Sequence, residues 1–168
     1  EDEKWLFMSA ANETYGNSLY VQDLSKPGSP VISIVTDMKN SHNMVDVDEN
    51  YFYIQTDKNA PTNKLVMASV ANAAPANWKT IVEAKPEVLN ASAVGGSIFC
   101  TYLKDAVNKV FQFDRTGKQI REVQLPGLGT ASGFSGKHDE KETYFVFTSY
   151  INPATIYKMD IATGNNVI

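Results

Sequence analysis

Val110-Phe111-Gln112-Phe113-Asp114-Arg115-Thr116-Gly117 reads as a β-strand closed by a tight turn. Aromatic and β-branched residues favour the extended chain, an aspartate can accept hydrogen bonds from the turn backbone, and glycine supplies a positive φ. The same pattern returns along the chain, at Leu19-Tyr20-Val21-Gln22-Asp23, Leu65-Val66-Met67-Ala68-Ser69 and Ile156-Tyr157-Lys158-Met159-Asp160. The first residues of the four copies fall at positions 19, 65, 110 and 156, an interval of 45 or 46 residues. A period of this size built from short strands is the signature of propeller blades, each a four-stranded antiparallel sheet that cannot cover its own faces alone.

Working outward from each copy, the neighbouring segments alternate strand and turn. Lys4–Ala10, Ser18–Leu24 and Val31–Val35 form strands around a polar loop and the turn Ser25-Lys26-Pro27-Gly28. In the second repeat, Met44–Val47 alternates as an inner strand, followed by Tyr51–Thr56, Lys64–Val70 and Trp78–Val82. Ala71–Asn77 reads as a loop because Pro75 interrupts its alanines. The third repeat has strands at Val88–Val94, Ser97–Leu103, Asn108–Asp114 and Gln119–Gln124, with Gly95-Gly96 as a turn. The fourth has Thr130–Phe134, Thr143–Tyr150 and Thr155–Ile161, and Val167 and Ile168 begin one more strand. Apolar spacing at three and four positions is rare, which argues against helices. The expectation is an all-β partial β-propeller of about three and a half to four blades of four antiparallel strands. It forms one domain over 1–168, with blades near 1–40, 41–85, 86–127 and 128–168.

Composition narrows the function. A net charge of −4, with the basic residues scattered, argues against a nucleic-acid surface. No apolar run approaches the ~20 residues of a membrane helix. Cys100, the one cysteine, lies in the apolar strand Ser97-Ile98-Phe99-Cys100-Thr101-Tyr102 and reads as a buried, inert thiol. The absence of a disulfide framework favours a reducing compartment, the cytoplasm over the periplasm. Asn12-Glu13-Thr14 and Asn90-Ala91-Ser92 match the glycosylation triplet, a pattern common by chance.

Chemistry is harder to find. Gly133-Phe134-Ser135-Gly136-Lys137 approaches a nucleophile elbow, but Lys137 replaces the second glycine and the charged loop His138-Asp139-Glu140-Lys141-Glu142 stands where a helix should follow. His42 and His138 both read as loop residues without a second ligand at metal-binding spacing. Asp46-Val47-Asp48-Glu49 lacks the glycine and the distal glutamate of a calcium loop and reads as solvated turn carboxylates. The sequence therefore nominates no catalytic, cofactor-binding or metal-ligating residue and no cofactor.

Phe147-Thr148-Ser149-Tyr150-Ile151-Asn152-Pro153-Ala154-Thr155-Ile156-Tyr157 resembles the phenylalanine-threonine-serine, proline and tyrosine stretch in the last propeller blade of prolyl oligopeptidases. Gly133-Phe134-Ser135-Gly136, Phe99–Asp105 with Asn108-Lys109 and Phe113-Asp114, Ser18-Leu19-Tyr20 with Asp23-Leu24, and Asn63-Lys64-Leu65 are similar to segments of the same family. The resemblance implies serine peptidases that cleave short peptides after proline. In them a seven-bladed propeller covers an α/β-hydrolase domain carrying a Ser-Asp-His triad. It places this chain in the later blades, with the hydrolase domain and every triad position outside it, so the segment alone is expected to be inactive. Its expected partners are the catalytic domain and remaining blades of the parent chain, with short proline-containing peptides as substrates of the whole enzyme. Exposed blade edges also predict self-association of the isolated segment. Two alternatives are a stand-alone propeller module that binds a protein or ligand without catalysis, and a polysaccharide- or metal-binding propeller.

Overall fold

A computed structural model describes residues 4–168, and every sheet in it is antiparallel. The chain divides after Glu83 into two compact units. Unit one holds a three-stranded sheet, β1 (Trp5–Ala10), β2 (Ser18–Asp23) and β3 (Ile32–Val35). It also holds a four-stranded sheet, β4 (His42–Val47), β5 (Tyr51–Thr56), β6 (Lys64–Ser69) and β7 (Lys79–Val82). Unit two holds β8 (Leu89–Val94), β9 (Ser97–Lys104), β10 (Val107–Phe113) and β11 (Gln119–Glu122). Its second sheet is β12 (Thr130–Gly133), β13 (Glu142–Thr148), β14 (Thr155–Asp160) and β15 (Asn166–Val167). In each sheet the spatial order is the chain order, which makes all four simple meanders. This is the partial propeller expected from the repeat, with three four-stranded sheets and one of three strands.

The repeat has a visible physical basis. Asp114 Oδ1 accepts hydrogen bonds from the amides of Thr116 (2.8 Å) and Lys118 (3.0 Å) and from the Thr116 hydroxyl (2.7 Å). Asp160 Oδ1 accepts from the amide and hydroxyl of Thr163, both at 2.7 Å, and Asp23 Oδ1 from the Ser25 amide at 3.0 Å. Ser69 Oγ accepts from the Ala71 amide at 3.3 Å. Gly117 and Gly164 complete their turns at φ 89° and 80°. One polar side chain at the end of the third strand thus closes each outer hairpin by satisfying turn amides that would otherwise face water.

Alternation fills the two cores. Along β13, Thr143, Phe145 and Phe147 point inward while Glu142, Tyr144 and Val146 point out. In unit two Phe99 (β9), Phe134, Phe145 (β13) and Tyr157 (β14) form a run of stacked rings with centroids 5.4, 4.7 and 5.3 Å apart. Val110, Phe147 and Met159 complete that core. In unit one, Leu19, Val21, Ile34 and Val35 pack on Phe52, Ile54, Val66 and Ala68. The rings of Trp5 and Phe7 stand edge-on to Phe52 at 5.3 and 5.4 Å. Each large side chain buried in this way contributes roughly 1.5–3 kcal/mol.

Three local readings change. The alternation expected at Met44–Val47 is interrupted by a bulge between Met44 and Asp46, which leaves Val45 without an opposite residue. The connection Ala71–Asn77 ends in a 3₁₀ turn, Pro75–Asn77, with proline at its first position, where its fixed φ suits a helical start. The strand expected to reach Tyr150 stops at Thr148, because Ser149 and Asn152 bond to one another in a turn.

Candidate functional site

In a four-stranded meander the first–second and third–fourth connections share one end of the sheet. The second–third connection and the link to the next sheet share the other. The first kind of end in unit two is polar. It gathers Gly95-Gly96, the turn Asp114–Lys118, the loop 134–141 and the turn 161–165. Backbone bonds tie the two sheets together here, from the Gly95 amide to the Lys137 carbonyl (2.9 Å) and from the Gly136 amide to the Ala93 carbonyl (3.3 Å). The Gln112 side chain donates to the Ile161 carbonyl and to Ser97 Oγ, both at 3.0 Å. A Cβ on Gly95, whose φ is 58°, would fall 2.4 Å from the Glu140 carbonyl oxygen, so only glycine fits that crossing.

Ser135 stands exposed in this polar loop. The coil 134–137 leads into a turn at His138-Asp139 and then into β13, with no helix, so the strand-turn-helix setting of an elbow is not formed. Arg115 Nη2 donates to His138 Nδ1 at 2.6 Å, which leaves that ring nitrogen as an acceptor already engaged. The carboxylates near residue 46 are not simply solvated, as the sequence suggested. Asp46 Oδ1 accepts from the Val47 amide, and Asp48 accepts from the amides of Asn50 and Tyr51 and from the Tyr53 hydroxyl. Among the described residues no three His, Cys, Asp or Glu side chains come together as a metal site, and no helix is long and apolar enough to cross a membrane. Cys100 is fully buried, and loss of water around it pushes its thiol up to about 12.

The second kind of end differs. In unit one it carries a polar network. Tyr15 donates to Asp57, whose other carboxylate oxygen accepts from the Ser41 amide at 2.9 Å, and Lys58 pairs with Asp37 at 2.9 Å. The hydrogen bond to Asp57 raises the pKa of Tyr15, with desolvation adding to it. Asn17 clamps the strand start, accepting from the His42 amide (2.7 Å) and donating to the His42 carbonyl (2.9 Å). His42 is not a loop residue. It opens β4, is 1% exposed, meets Thr56 Oγ1 through Nδ1 at 2.9 Å and lies edge-on to Trp78 at 5.6 Å. Desolvation lowers its pKa, partly offset by Asp37 and Asp57.

In unit two the corresponding end mixes the charged residues Lys85, Glu87, Lys104 and Asp105 with exposed apolar side chains. Val88, Leu103, Leu128, Tyr150 and Ile151 are all exposed there. Lys104, at the end of β9, pairs with Glu87 at 3.5 Å. The sequence pointed to no such surface, because Val88, Leu103 and Tyr150 read as strand ends and Leu128 and Ile151 as isolated apolar residues of connections. The signal was present in Ser149 and Asn152, a turn pair set just before a proline.

Four meander sheets with polar-capped outer hairpins define a segment of a β-propeller. Across residues 1–168 the chain matches the family model described as the prolyl oligopeptidase N-terminal β-propeller domain, and it belongs to that family. It is 42% identical over 168 residues to a prolyl endopeptidase of Elizabethkingia miricola, covering 100% of this chain and 24% of that protein. A dual function macrocyclase-peptidase of Amanita bisporigera is 20% identical over 167 residues, 95% of this chain and 23% of that one. Among solved structures, a chain from a study of two prolyl endopeptidases and the role of their inter-domain dynamics in catalysis and specificity superposes with a TM-score of 0.90. It is 33% identical and covers 99% of this chain and 24% of its own. Prolyl oligopeptidase B from Galerina marginata, bound to a 25mer macrocyclization substrate, shares the fold at a TM-score of 0.86 and 19% identity, over 97% of this chain and 24% of its own. The chain therefore spans about a quarter of the length of the curated prolyl endopeptidases it matches.

Proposed function

We propose that this chain is the later part of the propeller of a serine peptidase that hydrolyses short peptides after proline. In this reading residues 1–168 form one propeller segment, the Ser-Asp-His triad lies on an α/β-hydrolase domain elsewhere in the parent chain, and Ser135 takes no part in catalysis. The propeller's work is mechanical. Its rigid sheets, each fixed by capped hairpins, support the catalytic domain and restrict access to peptides narrow enough to reach it. The observation that carries this reading is the 42% identity to a prolyl endopeptidase across the whole of the chain.

The test uses the parent protein. Its turnover of a short proline-containing reporter peptide is compared with cleavage of the same sequence embedded in a folded protein. The expected result is turnover of the reporter and none of the folded substrate. A parent protein that leaves the reporter intact overturns the peptidase reading. Equal cleavage of both substrates overturns the access role alone.

A further inference from the structure

We propose that the junction between the two sheets of unit one is an acid-sensitive latch, opened by protonation of His42, while the equivalent junction in unit two stays shut. The latch is a repeated device. Asn17 and Asn108 each stand two residues before the apolar residue that starts the repeated strand pattern, Leu19 and Val110. The Asn17 amide donates to the Asn40 carbonyl (3.0 Å), and Asn17 Oδ1 accepts from the His42 amide (2.7 Å). The Asn108 amide donates to the Gly129 carbonyl (2.8 Å), and Asn108 Oδ1 accepts from the Ala131 amide (2.7 Å). In each unit one asparagine thus ties its own sheet to the first strand of the sheet that follows, β4 in one case and β12 in the other.

The two junctions differ in the residue they hold. Ala131 carries a methyl group, and His42 carries an imidazole that is 1% exposed. His42 Nδ1 meets Thr56 Oγ1 at 2.9 Å, and that oxygen also accepts from the Lys58 amide at 3.1 Å. His42 Nε2 is buried and has no hydrogen-bond partner among the described residues. A neutral ring can leave Nε2 without a hydrogen by keeping its proton on Nδ1. The imidazolium has a hydrogen on both nitrogens, so a charged donor at Nε2 would face no acceptor, which is costly in a buried place. Relaxation in place is blocked. Gly16 passes the Met38 carbonyl so closely that a Cβ would fall 2.1 Å from the oxygen. Trp78, which lies edge-on to the ring at 5.6 Å, is itself held by its Nε1 hydrogen bond to the Ala73 carbonyl at 2.8 Å. Water reaches Nε2 when His42 leaves its seat. The ring and the latched amide belong to one residue, so hydrating the first releases the second.

The charges around the ring do not supply the missing acceptor. Asp37, on the link before β4, pairs with Lys58 at 2.9 Å. Asp57, on the loop after β5, accepts from the Ser41 amide and from Tyr15 of the β1–β2 loop. The connection that leads to Trp78 holds no charged residue from Val70 to Asn77. Asp37 and Asp57 favour the imidazolium and Lys58 opposes it, but desolvation outweighs the two carboxylates and keeps the ring neutral to lower pH than an exposed histidine. The opened form takes up the proton more readily than the closed one. The latch is therefore shut above the ordinary histidine value near ~6.5 and opens as pH falls below it. It belongs to the propeller itself, whatever reaction the parent chain performs.

Hydrogen exchange of the full-length parent protein, pulse-labelled across this pH range and read by mass spectrometry with fragmentation, tests the latch. Rates are corrected for the intrinsic effect of pH on amide exchange. One linked proton allows at most about a tenfold change per pH unit, so protection of the Asn17 and His42 amides should fall roughly tenfold between about pH 7 and pH 5. Protection of the Asn108 and Ala131 amides should change by less than about twofold, since no titrating side chain is seated there. In His42→Gln, whose side chain stays neutral, the acid-induced fall at the Asn17 amide should disappear. Equal loss at both junctions, no loss at Asn17 and His42, or a fall that persists in His42→Gln would overturn the latch. Should His42→Gln fail to fold, the comparison of the two junctions within the unaltered protein decides by itself.

Discussion

The ring of Phe134 lies 4.7 Å from that of Phe145 and within 13° of parallel, although Phe134 holds a backbone φ of 57°. A bulky residue rarely enters the left-handed region unless its surroundings insist. Here Phe99 stacks on the other side of the ring at 5.4 Å, and Ser92 Oγ donates to the Phe134 carbonyl at 2.9 Å. Removing the ring in Phe134→Ala opens a cavity at the centre of the stack. The expected loss is about 3–5 kcal/mol of unfolding free energy, read from urea denaturation. A loss under ~1 kcal/mol would show that the stack does not hold unit two together.

Asp114 organises the turn between β10 and β11. Asp114→Ala should cost ~1 kcal/mol and speed exchange of the Thr116 and Lys118 amides, which the carboxylate now holds. Burial pushes the carboxyl up, but the hydrogen bonds from Thr116 and Lys118 outweigh it and set the pKa below the usual value. With the native pKa depressed, the contribution is complete above the unfolded value near ~3.9 and is lost as pH falls through the native one. Exchange rates unchanged in the variant would contradict the capping role.

His42 sets a second pH dependence, at a milder acidity. Its native pKa is lowered by desolvation, so below the unfolded value near ~6.5 the unfolded chain binds the proton more readily. Stability should be fully present above ~6.5 and decline as pH falls from there. Asp37 and Asp57 soften the effect and Lys58 sharpens it. In His42→Gln the slope between pH 7 and pH 5 should flatten. An unaltered slope would place the acid sensitivity elsewhere.

Ser135 supplies a direct check on catalysis. In the parent protein, Ser135→Ala should leave kcat and KM for a proline-containing reporter within about twofold of the unmodified enzyme. A loss of the size that follows removal of a nucleophile, several powers of ten, would make the loop 134–141 an active-site element after all.

The isolated 168-residue segment should self-associate. Tyr144, Val146, Ile156 and Val167 leave an apolar sheet face uncovered, and β1 and β3 are the two edges of a three-stranded sheet. Static light scattering should show a mass that rises with concentration. A constant monomer mass up to millimolar concentration would refute this.

The fold was readable because its signals are local. Strand alternation, the Asp-Thr-Gly turns at Asp114 and Asp160 and the Gly95-Gly96 hairpin all act within a few residues, so sequence neighbours suffice to find them. What escaped depends on distant residues. His42 sits between Ser41 and Asn43 and looks solvated, yet it is covered in part by Trp78, far along the chain. The bulge at Val45 appears only when β5 is set against β4. Tyr150 and Ile151 are apolar letters after an apolar strand, and only the Ser149–Asn152 turn reveals that the strand has ended. The likeness of Phe147–Tyr157 to prolyl oligopeptidases reached the family where composition and spacing could not.

The meander order of the sheets bears on how such a chain is made. No strand waits for a partner from a distant part of the polypeptide, since each pairs only with its neighbours in the chain. Contact order within a sheet is therefore low, and low contact order favours rapid folding. As the ribosome extends the chain, each stretch of roughly 45 residues can close its own hairpins before the next emerges, so the propeller can be assembled in instalments during synthesis.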